Sequence, residues 1–439
     1  MSRILIKDAM ILPMNVESTE PKYFKGALGI EGENIVFVAK QGDKIIDNFK
    51  ADRVIDGTNK VVMPGLINAH THVSMTLLRG YADDMPLMSW LNDKIWPFEA
   101  LLCDEDIMVG ARLGISEMLL GGTTCFVDMY YGENKIFDVV EGMGIRAMLS
   151  ATLTDFNRAA FESDFSALMQ KCETRANDKI GVFLSPHAPY TVSCENFSYV
   201  KHLSEKYNLP IHIHLSETES ELEIIKEKYG LTPTEFLLRE GILDCKTLAA
   251  HGVHLTDEDM EILRQKDVSV VHNPQSNMKL ASGVAPVVAL LEGGVNVALG
   301  TDGASSNNDL DMWEEMRSAS FLQKVSTLDP CVLNAYDVLK MATVNGAKAI
   351  GRDDLGVLKH GNKADVILID TFTAHLRPLH DVVASLVYSA KSTDVDMVIV
   401  GGEILVEDKK LKKVDLPELI LQSERVVKNI LKRGNFNKN

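Results

Sequence analysis

The sequence lacks any apolar stretch approaching the roughly 18 residues that a membrane-spanning helix needs. Its start, MSRILIKDAMILPM, is interrupted by Lys7, Asp8 and Pro13, so it resembles neither a signal peptide nor a span. A cytoplasmic location and no membrane partner are expected. Positive charge is also scarce: 45 Lys and Arg stand against 62 Asp and Glu, a formal net charge of −17. That balance opposes binding to a polyanion and leaves no basic stripe for nucleic acid. Cysteine is sparse and scattered, at Cys103, Cys125, Cys172, Cys194, Cys245 and Cys331, with no Cys-x-x-Cys pair. Thiolate metal sites are thereby excluded, and the cysteines read as small buried hydrophobes in a reducing compartment. Internal repeats, low-complexity tracts and long charge blocks are absent. What remains is a 439-residue chain, 46% hydrophobic, able to bury a large core, with a length that suggests two or three domains.

What the chain does have is a recurring placement of polar residues at the ends of short apolar or β-branched segments. His70-Thr71-His72 closes the run from Val61 to Ala69; Asp128, His187, His212-Ile213-His214, His251, His272 and Asp302 follow in the same way. Alternate residues of a strand share a face, so His70 with His72, and His212 with His214, can each reach one ion together. Neutral imidazoles with a carboxylate suit a catalytic divalent ion that keeps a position open for water. The series reads as a metal site on parallel strand ends.

Eight short strands are expected at 66–70, 125–128, 146–153, 181–185, 211–215, 247–250, 268–272 and 296–300. Helix signals lie between them. Ile107, Ala111, Ile115, Met118 and Leu119 form an apolar stripe ending at Gly121-Gly122. Glu217 to Glu223 precede Lys226, Lys228 and Gly230, and Thr256 precedes three acidic residues. Strand–helix units with polar strand ends describe an α/β fold, a (β/α)8 TIM-like barrel with its site on that face. The ends of the chain read differently, as strands at 3–12, 28–39, 54–55, 364–370 and 397–406, the last turning around Gly401-Gly402, then a terminal packing helix between Asp415 and Gly434. The expected organisation is a barrel over 64–358 and a small β-sandwich domain built from 1–63 and 359–439.

PGLINAHTH with SMTLLRG, HIHLSE, AAHGVHL, HNPQSNMKL, GTDGASSNN and GNKADVILID, in that order, resemble the amidohydrolase superfamily. The resemblance covers essentially the whole chain. It lies in the branch that deaminates purines and related heterocycles, and within it the chain is similar to the 5′-methylthioadenosine/S-adenosylhomocysteine deaminases. It implies one divalent metal, zinc with iron as the alternative, held by His70, His72, His214 and Asp302. It implies catalytic roles for Glu217, His251 and Asp302: His251 and Asp302 orient water and take its proton, while Glu217 protonates the purine ring nitrogen and passes protons to departing ammonia. The expected product is the inosine analogue.

The bland readings stand beside these. His212 is expected to pack behind the ligands, while strand-end hydrogen bonding by His272 and Asn273 and loop anchoring by Asp128 stay open beside a ligand role. The acidic run from Glu217 to Glu223 reads as a solvated helix face from which HLSE singles out Glu217 alone.

For substrate, the resemblance implies that Trp90 and Glu99 lie over the ribose, with Glu99 accepting its hydroxyls, and that His187 bonds the purine. Glu217 and Asp302 would also touch the substrate. Relatives that bind S-adenosylhomocysteine often carry Arg where this chain has Ala151, and Arg158 is the candidate substitute. Without such a partner, preference should move toward neutral 5′-substituted adenosines such as methylthioadenosine or 5′-deoxyadenosine. The alternatives are a guanine deaminase or triazine chlorohydrolase-type enzyme and, in another class, a non-catalytic scaffold barrel. The expected partner is a small nucleoside; oligomeric state is left open, a homo-oligomer included.

Overall fold

The computed structural model of the chain describes residues 2–15 and 22–435. Eight parallel strands, Leu66–Thr71, Thr123–Tyr130, Arg146–Leu153, Ile180–Pro186, Ile211–Leu215, Thr247–His251, Ser269–His272 and Asn296–Leu299, pair in chain order. Nearly every residue in them is buried, as parallel strands between two apolar layers must be. The barrel closes where the Asp302 N–H donates to the His70 carbonyl at 3.0 Å and the Thr301 N–H donates to Asn68 Oδ1 at 3.0 Å. All eight expected strands are present, with ends moved by a residue or two.

Both chain ends build a second, nine-stranded sheet. Its N-terminal strands are Arg3–Ile11, Phe24–Glu31, Asn34–Lys40, Arg53–Asp56 and Lys60–Pro64; the C-terminal ones are Val366–Asp370, Val395–Val400, Glu403–Glu407 and Lys410–Leu411. The halves join where Lys60–Pro64 runs antiparallel to Val366–Asp370. Ile6 and Leu28 from one half share a buried cluster with Leu368 and Ile399 from the other, so the sheet folds onto its own core.

Two segments divide differently from the sequence reading. The stretch 28–39 is not one strand but a hairpin turning at Gly32, whose φ of +59° favours glycine. The apolar run 61–69 splits at Gly65 between the two sheets. A side chain at Gly65 would collide with Thr124, so glycine permits the close approach that passes the chain from one sheet to the other.

The helix signals hold. Thr256 and Asp259 form a reciprocal capping box at the start of Asp257–Gln265. Thr218 caps Glu219–Tyr229, which ends at Gly230 with φ +70° after Lys226 and Lys228. The terminal helix Leu416–Arg433 starts at Asp415 and ion-pairs through Arg433 with Asp106 on the barrel helix Asp104–Leu120. At the opposite end of the barrel from the polar strand ends, buried Arg146 makes a two-pronged contact with Asp365, at 2.9 and 3.1 Å, tying the third barrel strand to the small sheet.

Candidate metal centre and active site

The strand ends bring the candidate ligands to one place. His70 and His72 leave the first barrel strand, His214 the fifth and His251 the sixth; Asp302 follows the eighth. Three residues of this rim are held in the left-handed backbone region: Ser216 at φ +50°, His251 at +76° and Asp302 at +63°. Each such position costs about 1–3 kcal/mol, a strain that gathers where geometry serves chemistry.

Hydrogen bonds behind the ligands fix which nitrogens face inward. His72 Nδ1 lies 2.5 Å from the Met129 carbonyl and His214 Nδ1 lies 2.9 Å from the His187 carbonyl. A carbonyl only accepts, so both Nδ1 atoms carry the proton and both Nε2 lone pairs point into the site. Those Nε2 atoms are 3.3 Å apart, and His72 Nε2 is 3.1 Å from Asp302 Oδ1. His70 Nδ1 contacts His212 Nε2 at 2.9 Å, which leaves His70 Nε2 buried without a hydrogen-bond partner, 3.4 Å from Asp302 Oδ1. Converging lone pairs and a carboxylate oxygen repel unless a cation lies among them.

The electrostatics express the same demand. Burial lowers His70 to about 4. Burial also opposes charge on His72, but Asp302 outweighs it and pushes His72 up to about 9, so with no ion present Nε2 would keep a proton that a metal would replace. Burial raises Asp302, yet the two imidazoles hold it well below the usual carboxylate range. The site gathers positive charge around Asp302, which a divalent ion would supply. His70, His72 and Asp302, and also His70, His214 and His251, bring ligand atoms within 4.8 Å of one another. The donor set therefore fits a divalent ion with nitrogen and oxygen ligands.

Around this centre, Asp302 Oδ2 accepts from Ser276 at 2.6 Å and Ser306 at 2.8 Å, fixing the carboxylate plane. His251 Nδ1 is 2.9 Å from Asn277 Oδ1, and its Nε2 lies 3.8 Å from Glu217 Oε2. Burial raises the Glu217 pKa, with the His251 charge pulling it back. Asp128 accepts from Thr71 Oγ1 at 2.8 Å and the Val73 N–H at 2.7 Å, which anchors the loop after the first strand. Buried His272 has neither ring nitrogen hydrogen-bonded, and burial drives it down to about 3.

The centre opens into a cavity also lined by Trp90, Glu99, Tyr130, Thr152, His187 and Tyr190. Trp90 is buried with its indole N–H already donated to the Ala82 carbonyl at 2.9 Å, so it offers the cavity only its ring. Burial pushes Glu99 up to about 7, although Tyr130 donates to it at 2.7 Å. His187 is pushed down to about 3 by burial and neighbouring imidazoles, and remains neutral.

Two expectations do not survive this placement. Arg158 is not in the cavity: it contacts Glu162 at 3.1 Å and Asn196 at 3.0 Å, with its guanidinium over the Tyr199 ring. Ala151 faces the apolar layer beneath the helices, and its neighbour Thr152 lines the cavity instead, its hydroxyl buried and unpartnered. Among the described residues, no Lys or Arg lines the cavity. Sequence reasoning assigned no role to Ser276, Asn277, Ser306 or Tyr130; serine and asparagine carry no spacing signature, and only their place within HNPQSNMKL and GTDGASSNN hinted at them.

Comparison with known proteins agrees with the architecture. A protein 46% identical over 426 residues, covering 96% of this chain and 97% of that one, is a 5-methylthioadenosine/S-adenosylhomocysteine deaminase from Carboxydothermus hydrogenoformans. Another of the same description, from Pelotomaculum thermopropionicum, is 45% identical across 99% of this chain and 100% of its own length. A crystal structure of an adenosine deaminase from Xanthomonas campestris with bound zinc superposes with a TM-score of 0.94 at 35% identity, over 98% of this chain and 99% of that one. Residues 61–405 match the model of the Amidohydrolase family, and the chain belongs to that family.

Proposed function

We propose that the protein is a metal-dependent hydrolytic deaminase of 5′-substituted adenosines, releasing ammonia and leaving the inosine analogue. His70, His72, His214 and Asp302 would hold the metal, and zinc, which the similar adenosine deaminase structure binds, suits these nitrogen and oxygen donors, with iron as the alternative. When bound, the ion supplies the Lewis acidity that makes water a nucleophile at neutral pH. The observation that carries the reading is the pairing of Glu217 with His251, 3.8 Å apart, beside the converged ligands at the floor of the cavity.

Each residue then has a task its surroundings suit. His251, fixed through Nδ1 by Asn277, presents Nε2 to orient water and take its proton together with Asp302. Glu217, its pKa raised by burial, can give its proton to the ring nitrogen beside the attacked carbon, and the proton taken from water by His251 and Asp302 then passes through Glu217 to the leaving nitrogen. His187, neutral with Nδ1 bound to Thr191 at 2.9 Å, has Nε2 free for the purine. Trp90 covers the ribose with its ring, and Glu99, ionised, accepts from two vicinal hydroxyls. Asp302, which lines the same cavity, also faces the substrate. With no Lys or Arg among the described residues that line the cavity, a neutral 5′ substituent is the better match.

The test is ammonia release by the metal-loaded protein from methylthioadenosine, S-adenosylhomocysteine, adenosine, guanine and cytosine. Release from the adenosine analogues alone supports the reading; release from guanine alone would replace it with a guanine deaminase.

A further inference from the structure

Glu221 lies within the acidic run that reads as a solvated helix face, yet it is 1% exposed while Glu219 and Glu223 face solvent. Its two carboxylate oxygens are divided between consecutive backbone donors: Oε1 accepts the Ser216 N–H at 3.0 Å and Oε2 accepts the Glu217 N–H at 2.9 Å. A residue at this place in a helix ordinarily reaches back to the N–H of its own cap. Here the cap is Thr218, and Glu221 passes it to hold the two residues before it. The Ser216 carbonyl in turn accepts from Val253 at 3.0 Å and His254 at 2.9 Å, on the turn that follows His251. Ser216 itself sits at φ +50°, a conformation a serine keeps only when its neighbours impose it.

We infer that Glu221 is a positioning residue that clamps the Ser216-Glu217 turn and thereby sets the Glu217 carboxylate against His251. It touches no reacting atom. The inference rests on the catalytic role proposed for Glu217. A carboxylate is required because it alone offers two acceptors to two donors; a glutamine has one acceptor and turns an amide N–H toward the other N–H.

The test is Glu221→Gln, alone and combined with Glu217→Gln, in metal-loaded enzyme. Misplacing a reacting group by about 1 Å can cost a hundredfold, so kcat should fall roughly ten- to a hundredfold, with KM and metal content unchanged. In the Glu217→Gln background the same change should cost less than about twofold further, because residues acting as one unit are not additive. Amide hydrogen exchange at 216 and 217 should speed up in Glu221→Gln, a readout that needs no activity. If the parent enzyme deaminates nothing, the functional reading fails while the exchange measurement still decides the clamp. Unchanged exchange, an unchanged kcat, or an equal loss in both backgrounds would overturn the inference. So would a lowered melting temperature with normal kcat, the mark of a mere helix cap.

Discussion

His72 Nε2 and His214 Nε2 lie 3.3 Å apart with their protons turned away toward the Met129 and His187 carbonyls. Two lone pairs at that separation make the first and fifth barrel strands partners in one cation site. A divalent ion among them would relieve their repulsion.

Removing a ligand should empty the site without unfolding the barrel, since the ligands sit at strand ends above the packed core. In His70→Ala or Asp302→Ala, most metal and activity should be lost while circular dichroism stays native. Elemental analysis showing full occupancy in either variant would contradict the assignment.

Glu217→Gln should keep the metal and lose at least about a hundredfold in turnover, the usual contribution of a placed acid or base. Near-normal kcat would return Glu217 to the helix face.

Glu99 is pushed up to about 7, so it is neutral below that pH and becomes an ionised acceptor above it. For ribose substrates kcat/KM should rise with pH through about 7, and this limb should vanish in Glu99→Gln. Analogues lacking the 2′-hydroxyl should lose on the order of 1.5–3 kcal/mol of transition-state binding, the range for hydrogen bonds to charged groups. Equal treatment of the two sugars would remove Glu99 from the site.

Specificity at the 5′ end should follow the lack of Lys and Arg among the described residues that line the cavity. Methylthioadenosine should exceed S-adenosylhomocysteine in kcat/KM, and Thr152→Arg should narrow the ratio because residue 152 lines the cavity. Ala151→Arg should instead destabilise the protein, since that side chain faces the apolar layer. A narrowed ratio in Ala151→Arg, with stability retained, would contradict this placement.

Arg146→Ala should cost about 3–5 kcal/mol of stability by leaving Asp365 buried and uncompensated. The kcat of the folded, metal-loaded fraction should not move, because the pair lies at the other end of the barrel. Denaturant melts and active-fraction kinetics check both halves.

The sequence revealed most where chemistry repeats along a strand. That His70, His72, His214 and Asp302 lie at one rim was legible because each closes an apolar run, but His187, His251 and His272 do so too, and the resemblance rather than the spacing chose the four. The helix caps at Thr256 and Asp415 were legible for an equally local reason. What escaped depends on contacts distant in sequence. Gly65 divides one apolar run between two sheets because of Thr124, and nothing local marks that break. The choice between Ala151 and Thr152 is a strand register, which a one-residue slip reverses. Arg158 was drawn toward the substrate by proximity in sequence, whereas Glu162 and Asn196 hold it outside. Glu221 looked like its acidic neighbours until burial separated them.

The central claim is that water replaces the amino group of a 5′-substituted adenosine. The direct measurement is mass spectrometry of the product from methylthioadenosine turned over by the metal-loaded protein in 18O-labelled water, with ammonia counted in parallel. The account predicts one 18O in the base, an intact sugar linkage and one ammonia per product. Unlabelled base, or release of free base with the amino group retained, would contradict it.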